Sequence, residues 1–387
     1  MHLGRVIVMT VIESFATICM ERGIYFYTHE RLAFSDPANL GMALVFGLAY
    51  AGGAAVSHRA SNRLGEKRLL ILTLLGQLAV HLALAARPTA GGVVGGLVLI
   101  GLFNGLKWPV IESYVCAGRT PRQAARAVGM FNMAWAGAIP AALLVVGPLI
   151  AHWGPALFLL PAALNAVSLA LAGPMRAPVH LAHDHPERPD SAQLPRLAAL
   201  LVTSRALMLA SYASMWVLAA LMPSLFSAMG YGVSAASGLS GVLDLTRLAA
   251  FVLLGTWHGW HGRTGLLMLS LVGLPAGFFL VLFGPNLAVV LGGQVLFGLA
   301  AGACYNASLY YALVVKNASV EAGGGHEGLI GLGFAIGPAA GLVGVMLAGV
   351  LGRELYGMLV GIGPVFAACS AVALWALRRR TGTGREK

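Results

Sequence analysis

Apolar runs long enough to cross a lipid bilayer recur twelve times along these 387 residues, and no other feature restricts the fold as tightly. A helix spanning the hydrocarbon core needs about 20 apolar residues. Stretches such as Leu69–Ala86 and Val281–Ala303 supply them almost without interruption. Barrel strands instead alternate polar and apolar residues over segments of about ten. In lipid every backbone polar group must find its partner within the chain, which leaves helices. The predicted spans are 5–28, 38–57, 69–86, 93–116, 124–151, 155–174, 200–225, 234–257, 265–283, 286–314, 327–351 and 355–377. Only 10% of the residues are charged, against roughly 25% in soluble domains. That excludes a water-exposed globule, a disordered chain and a secreted disulfide scaffold. The predicted class is an all-α integral membrane protein.

The net charge of +11 invites a nucleic-acid partner, and its distribution argues against one. Lys and Arg collect in cytoplasmic loops. With the amino terminus inside, nineteen of the 25 basic residues fall on that side, three on the other, and Arg22, Lys107 and Arg247 within spans. The basic excess therefore reads as topology: a multi-pass protein of the cell (inner) membrane with both termini cytoplasmic. Glu13 and Glu21 interrupt the first apolar segment, and no small-residue cleavage site follows it, so it is read as a retained helix and not a signal peptide. Cys19, Cys116, Cys304 and Cys369 lie in apolar runs without paired spacing and read as buried free thiols.

One connection is long. Met175 to Ala198 carries four prolines, mixed charge and three histidines, and cannot sit in lipid. It divides the chain into an N-terminal six-helix bundle (1–175), a cytoplasmic linker (176–198) and a C-terminal six-helix bundle with a short basic tail (199–387). The halves resemble each other. Gly101–Tyr114 aligns with Gly298–Tyr311, Ala138–Ala142 with Ile336–Ala340, and Arg63-Leu64-Gly65 with Arg263-Thr264-Gly265, all at nearly one offset and in the same order. That pattern predicts a duplicated six-helix unit.

Two six-helix halves, a polar central linker and cytoplasmic termini resemble the major facilitator superfamily over the whole chain. Ser57 to Arg68 is similar to that family's basic loop after the second span, with Asn62 where the family has Asp and with Arg63 as its arginine. Gly333-Phe334-Ala335-Ile336-Gly337-Pro338-Ala339-Ala340-Gly341 resembles its eleventh-span pattern, in which glycines allow close helix approach and the Pro bends the helix. A narrower likeness is to the proton-coupled oligopeptide transporters. Glu21-Arg22-Gly23-Ile24-Tyr25-Phe26 looks like the end of their first-span motif, with Gly23 in place of a Phe, and Gly105-Leu106-Lys107-Trp108-Pro109 is similar to their fourth-span stretch with a Trp inserted. The resemblance implies two pseudo-symmetric bundles with spans one, four, seven and ten around a central cavity. It also implies a first-span Glu and Arg facing a fourth-span Lys, coupling protons to a substrate carboxylate.

Ionisable groups at mid-membrane cost at least about 2.5–3.5 kcal/mol each and mark cavities, pairs or proton paths. In the first span Thr10, Glu13, Ser14, Thr17, Glu21, Tyr25 and Thr28 recur every three or four residues and form one polar stripe. Glu21 is the first candidate for proton coupling, with Glu13 and Glu112 next. The competing reading of Glu21 is a structural pair with Lys107 or Arg22. In the fourth span Asn104, Trp108 and Glu112 share a face with Lys107 beside them, which suits a carboxylate-bearing substrate or, equally, an internal Lys–Glu pair. Tyr212, Trp216, Tyr305 and Asn306 complete the substrate-binding candidates, together with Arg22 and Tyr25. Asp244 and Arg247, one turn apart, read as a structural clamp, and Arg63 as a gating group. His326-Glu327 opens the eleventh span on the cytoplasmic side. His180, His183 and His185 read as solvated linker residues before a metal site. No phosphate loop, nucleophile triad, zinc spacing or haem motif occurs, so no cofactor and no metal are expected.

The function expected from these residues is secondary active transport of a small organic solute, carboxylate-bearing or zwitterionic, by alternating access. Its expected partners are that solute, protons and membrane lipid, and it is expected to act as a monomer. A proton-coupled drug or metabolite efflux pump is the rival within transport. A non-transporting scaffold or a membrane enzyme is the rival of another class.

Overall fold

The computed structural model describes residues 3–119, 121–178, 193–315 and 320–382. The linker histidines His180, His183 and His185 lie outside the described residues. Fourteen α-helices form, and no strand occurs among the described residues. They are α1 (Leu3–Glu21), α2 (Gly23–Leu32), α3 (Asp36–Leu64), α4 (Glu66–Ala86), α5 (Ala90–Cys116), α6 (Pro121–His152), α7 (Ala156–Ala172), α8 (Leu194–Ala228), α9 (Val233–Ser240), α10 (Val242–Thr256), α11 (Gly265–Phe283), α12 (Leu287–Val315), α13 (Val320–Leu351) and α14 (Glu354–Gly382). Eleven stretches among the described residues are long and apolar enough to cross a membrane, and the 17-residue α7 is the shorter twelfth apolar helix. Each falls on a span expected from hydropathy. The short connections make neighbours antiparallel, so the loops after α3, α5, α10 and α12 share one face, called here the terminal face. Cys116, expected to be buried, is exposed where α5 ends there, while the other three cysteines are buried.

Two spans are broken. The first consists of α1 and α2, separated at Arg22, whose φ of −120° departs from helical geometry. The eighth consists of α9 and α10, separated at Gly241. A break in lipid leaves backbone groups to satisfy, and here the chain does so locally and across helices. Arg22 N–H still reaches Ile18 O (3.0 Å), and the Leu243 N–H exposed by the second break is accepted by Gln294 Oε1 of α12 at 3.1 Å. Gly23 has to lack a side chain, because a Cβ there would sit 2.8 Å from Val146 Cγ1 on α6. That explains why Gly stands at the position where the resembling motif carries Phe.

Burial sorts the spans into rings. In the first, fourth, seventh and tenth spans 56, 50, 89 and 56% of the apolar window is buried, and in the other seven long spans less than half. The outer spans present leucines and valines such as Leu144, Leu253 and Leu269 to the lipid side. The first six and last six spans meet where α3 packs on α13 and α6 packs on α9 and α10. On the face opposite the terminal one, Asn39 Nδ2 donates to Ala220 O (3.5 Å), Gly147 N–H donates to Ser237 Oγ (3.0 Å), and Ser237 Oγ donates to Leu143 O. At mid-depth the Phe334 ring of α13 stacks on Trp216 (centroids 3.8 Å apart) and meets Tyr50 edge-on (4.9 Å), so aromatic contacts cross the seam. The close α8–α13 approach depends on Gly337, where a Cβ would overlap the carbonyl of Ala213.

Candidate functional site

A cavity of about 100 Å³ lies between the halves at the level of both helix breaks. The first six spans contribute Ser14, Thr17, Glu21, Arg22, Tyr50, Trp108, Glu112 and Trp135 to its wall, and the last six contribute Tyr212, Trp216, Asp244, Arg247, Tyr305 and Glu327. Only the middle of the first-span stripe reaches it. Thr10 and Thr28 instead donate to their own helix, to Val6 O and Ile24 O.

The two breaks explain how charges come to stand here. A helix carries partial negative charge at its C-terminus and partial positive charge at its N-terminus. Arg22 follows the last residue of α1, and Asp244 sits in the first turn of α10. Asp244 thus meets a helix end of opposite sign, whereas Arg22 stands between the C-terminus of α1 and the N-terminus of α2 and finds its counter-charge in Asp244. They join across the seam at 3.1 Å, 3% and 1% exposed. Sequence proximity suggested Asp244 with Arg247, and the structure corrects that pairing: Asp244 takes Arg22 of the other half. Arg247 instead donates from Nη2 to Tyr212 Oη at 2.5 Å, and its guanidinium lies 4.8–5.7 Å from the ring centroids of Trp135, Tyr212, Tyr305 and Phe251. Four aromatic faces partly offset the missing counter-charge.

Lys107 is fully buried and does not line the cavity. Its ammonium donates to Glu13 Oε2 (2.6 Å) and to Gln77 Oε1 (2.9 Å). Gln77 Nε2 donates to Asn104 Oδ1 (2.6 Å), and Asn104 Nδ2 donates to Glu21 Oε1 (3.0 Å). On the other side Asn165 Nδ2 donates to Glu13 (3.1 Å), and His81 Nδ1 lies 2.8 Å from Asn165 Oδ1. Lys107, Glu13 and Asn104 therefore form a closed polar chain inside the first half, whose cavity end is Glu21. Buried polar chains of this kind are stable when each member is satisfied, and of this chain's side-chain atoms His81 Nε2 has no partner among the described residues. Glu21 makes no ion pair among the described residues.

A second acidic group bridges the halves. Glu112 of α5 and Glu327 of α13 face the same cavity from the two halves, and Tyr50 Oη donates to Glu327 Oε2 at 2.6 Å.

Of the residues singled out from the sequence, Glu21, Glu112, Arg22, Trp108, Tyr212, Trp216, Tyr305, Asp244 and Arg247 converge on the cavity. Glu13, Tyr25, Asn104, Lys107 and Asn306 do not line it. Arg63 is exposed at the end of α3, with no salt bridge among the described residues. Sequence reasoning passed over Gln77, His81 and Asn165, although three polar residues in otherwise apolar third and sixth spans were visible signals. It also passed over Tyr50 and Trp135. No cluster able to hold a metal ion occurs among the described residues.

The profile of the Major Facilitator Superfamily matches residues 15–341. Among curated proteins no sequence matches. Among solved structures the chain resembles a peptide transporter, POT, crystallised with sulfate (15% identity, TM-score 0.73, 99% of this chain and 95% of that one). It also resembles a bacterial homologue of the human lysosomal transporter Spinster in an inward-facing, unoccupied conformation (16%, 0.65, 97% and 92%). A third likeness is to the nucleoside transporter NupG (13%, 0.65, 96% and 98%). Twelve apolar helices around a charged central cavity and a profile match over most of the chain agree: this protein belongs to the Major Facilitator Superfamily and is a secondary transporter, not an enzyme.

Proposed function

We propose that the protein couples proton movement to transport of a small organic solute, carboxylate-bearing or zwitterionic, across the inner membrane by alternating access. One observation carries this reading: buried ionisable groups from both halves converge on a single cavity at their seam, where a solute would contact each half at once. Residues 1–175 and 199–387 are the two rocking units, 176–198 joins them on the cytoplasmic side, and one chain suffices. Glu21 is the coupling carboxyl. Glu13 is neutralised by Lys107 and Asp244 by Arg22, whereas Glu21 faces the cavity and, among the described residues, has the amide of Asn104 as its one hydrogen-bond partner. A proton is the counter-charge open to it. Arg22, a candidate from sequence for binding a substrate anion, is engaged by Asp244 across the seam. Lys107, a candidate for that role from sequence, holds Glu13 in place.

The test is proton flux in proteoliposomes challenged with a panel of organic acids, amino acids and amines. Glu21→Gln should abolish gradient-driven accumulation and leave solute exchange measurable. Full accumulation by that variant removes Glu21 from the mechanism. The aromatic walls (Trp108, Phe131, Trp135, Trp216, Phe334) favour, as a second reading, export of a flat drug-like molecule, and in that case the panel's bulky cations would drive proton flux and the acids would not.

A further inference from the structure

Among the described residues five side-chain atoms of cavity-wall residues lack a hydrogen-bond partner; two are the Ser14 and Thr17 hydroxyls of α1, and three belong to the last six spans. Those three are Arg247 Nε, Trp216 Nε1 and Asp244 Oδ1, and all three residues are at least nine-tenths buried. Leaving a buried donor or acceptor unpaired costs about 1–3 kcal/mol. Three orphans on one wall form a template: two donors, one of them cationic, and one anionic acceptor.

The donors are held in place. Four rings and the Tyr212 hydroxyl fix the Arg247 guanidinium. Stacking on Phe334 fixes the Trp216 indole, which lies next to Tyr212 in turn. Asp244 spends Oδ2 on Arg22 and keeps Oδ1 open. Asp244 and Arg247 are three residues apart on α10, so they stand on one helix face about 5–6 Å apart at Cβ. A ligand filling this template needs an anionic acceptor and a hydrogen-bond donor close together in one small molecule. The charge balance agrees. Arg22 and Asp244 cancel, which leaves Arg247 as an uncancelled cation on that wall. Glu21, Glu112 and Glu327 make no salt bridge to it.

We propose that Arg247, Trp216 and Asp244 form the binding site for a small organic acid bearing an amino or hydroxyl group on the carbon next to its carboxylate. The carboxylate takes the Arg247 and Trp216 donors, and the amino or hydroxyl group donates to Asp244 Oδ1. This rests on the transporter reading and narrows its substrate class. The cavity of about 100 Å³ is smaller than the engineered cavity of about 150 Å³ that holds benzene in another protein. In this conformation it suits a ligand of about six heavy atoms or fewer, the size of alanine or lactate.

The experiment uses the purified full chain in nanodiscs, with tryptophan fluorescence and thermal stability as readouts. The probes are L-alanine, L-lactate, propionate and 2-aminopropane, and their phenyl-substituted counterparts for a site widened by movement of the halves. Alanine or lactate, or the phenyl analogue of either, should bind more tightly than propionate and far more tightly than the amine. Trp216→Phe keeps the ring and loses one donor. It should weaken acid binding about three- to tenfold, a typical neutral hydrogen bond. Arg247→Gln should weaken it about ten- to 150-fold, with Arg247→Lys between. The proposal is overturned if no acid binds the wild type, if only the amine binds, or if both variants bind acids as the wild type does. Should only the amine bind and still drive proton flux, the transporter reading survives without this site. Absence of solute-coupled proton flux with every probe strikes that reading itself.

Discussion

Removing one member of the Arg22–Asp244 pair should harm the protein more than removing both. At 3.1 Å the two charges attract with about 5 kcal/mol at an effective dielectric of 20. Taking them out of water costs several kcal/mol per ion, so the intact pair comes close to breaking even. A lone survivor has no such offset, and truncation of one partner in a buried pair costs about 3–5 kcal/mol. Asp244→Leu leaves Arg22 unpaired at 3% exposure beside the equally unpaired Arg247. Arg22→Met leaves Asp244 stranded in the same way. Each single variant should lose about 3–5 kcal/mol, and the double variant should stay within about 1–2 kcal/mol of wild type. The coupling in a double-mutant cycle is then at least about 4 kcal/mol, far outside the roughly 0.5 kcal/mol scatter of independent sites. Reversible unfolding by sodium dodecyl sulfate in mixed micelles measures it, with proteoliposome transport as the parallel readout. The double variant should be stable and inactive. Additive single costs would refute the claim that these two side chains meet across the seam, and with it the account of the two helix breaks.

Three further outcomes follow from the same contacts. Glu327→Gln removes one of the two cavity carboxyl groups contributed by Glu112 and Glu327 and puts an amide in its place. Spin labels at exposed positions 63 and 263 on the terminal face should separate as pH rises in wild type, when two bare carboxylates repel, and hold one distance in the variant; an unchanged pH response in the variant contradicts a role for these two carboxyls in it. Lys107→Met strands Glu13 in the first half and should cost about 3–5 kcal/mol in the same unfolding assay, while the affinity for organic acids changes less than threefold. A large loss of acid affinity with stability intact would return Lys107 to the substrate. Gly337→Ala puts a methyl group against the Ala213 carbonyl and should cost about 1–3 kcal/mol, whereas Gly349→Ala, with open space around it, should cost none.

Run length made the twelve spans legible, because the width of the hydrocarbon core sets a count that no local propensity overrides. The glycine pattern at 333–341 likewise announced a close helix contact that the structure contains. The breaks at Arg22 and Gly241 were not legible, since an apolar run reads the same whether its backbone is continuous or interrupted. That hid the reason Asp244 leaves Arg247: the ends of α1 and α10 place opposite charges face to face across the seam, and a spacing of three residues carries no trace of it. For Lys107 the sequence left open a substrate role or an internal Lys–Glu pair, and the structure contains such a pair, with Glu13. Gln77 shares the ammonium and Asn165 holds Glu13, and these neutral polar residues in the third and sixth spans were the available clue. Glu112 was a candidate from its helix face, but Glu327, which faces the same cavity, comes from the other half, more than two hundred residues away.

The central claim is that the halves move against each other around the charged cavity. Spin-label distances should be measured at two faces of the same protein, between positions 63 and 263 on the terminal face and between positions 87 and 285 on the opposite one, with Cys116 replaced by Ser. As pH is changed or an organic acid is added, one distance should lengthen while the other shortens. Two distances that stay fixed, or that change in the same direction, would contradict alternating access.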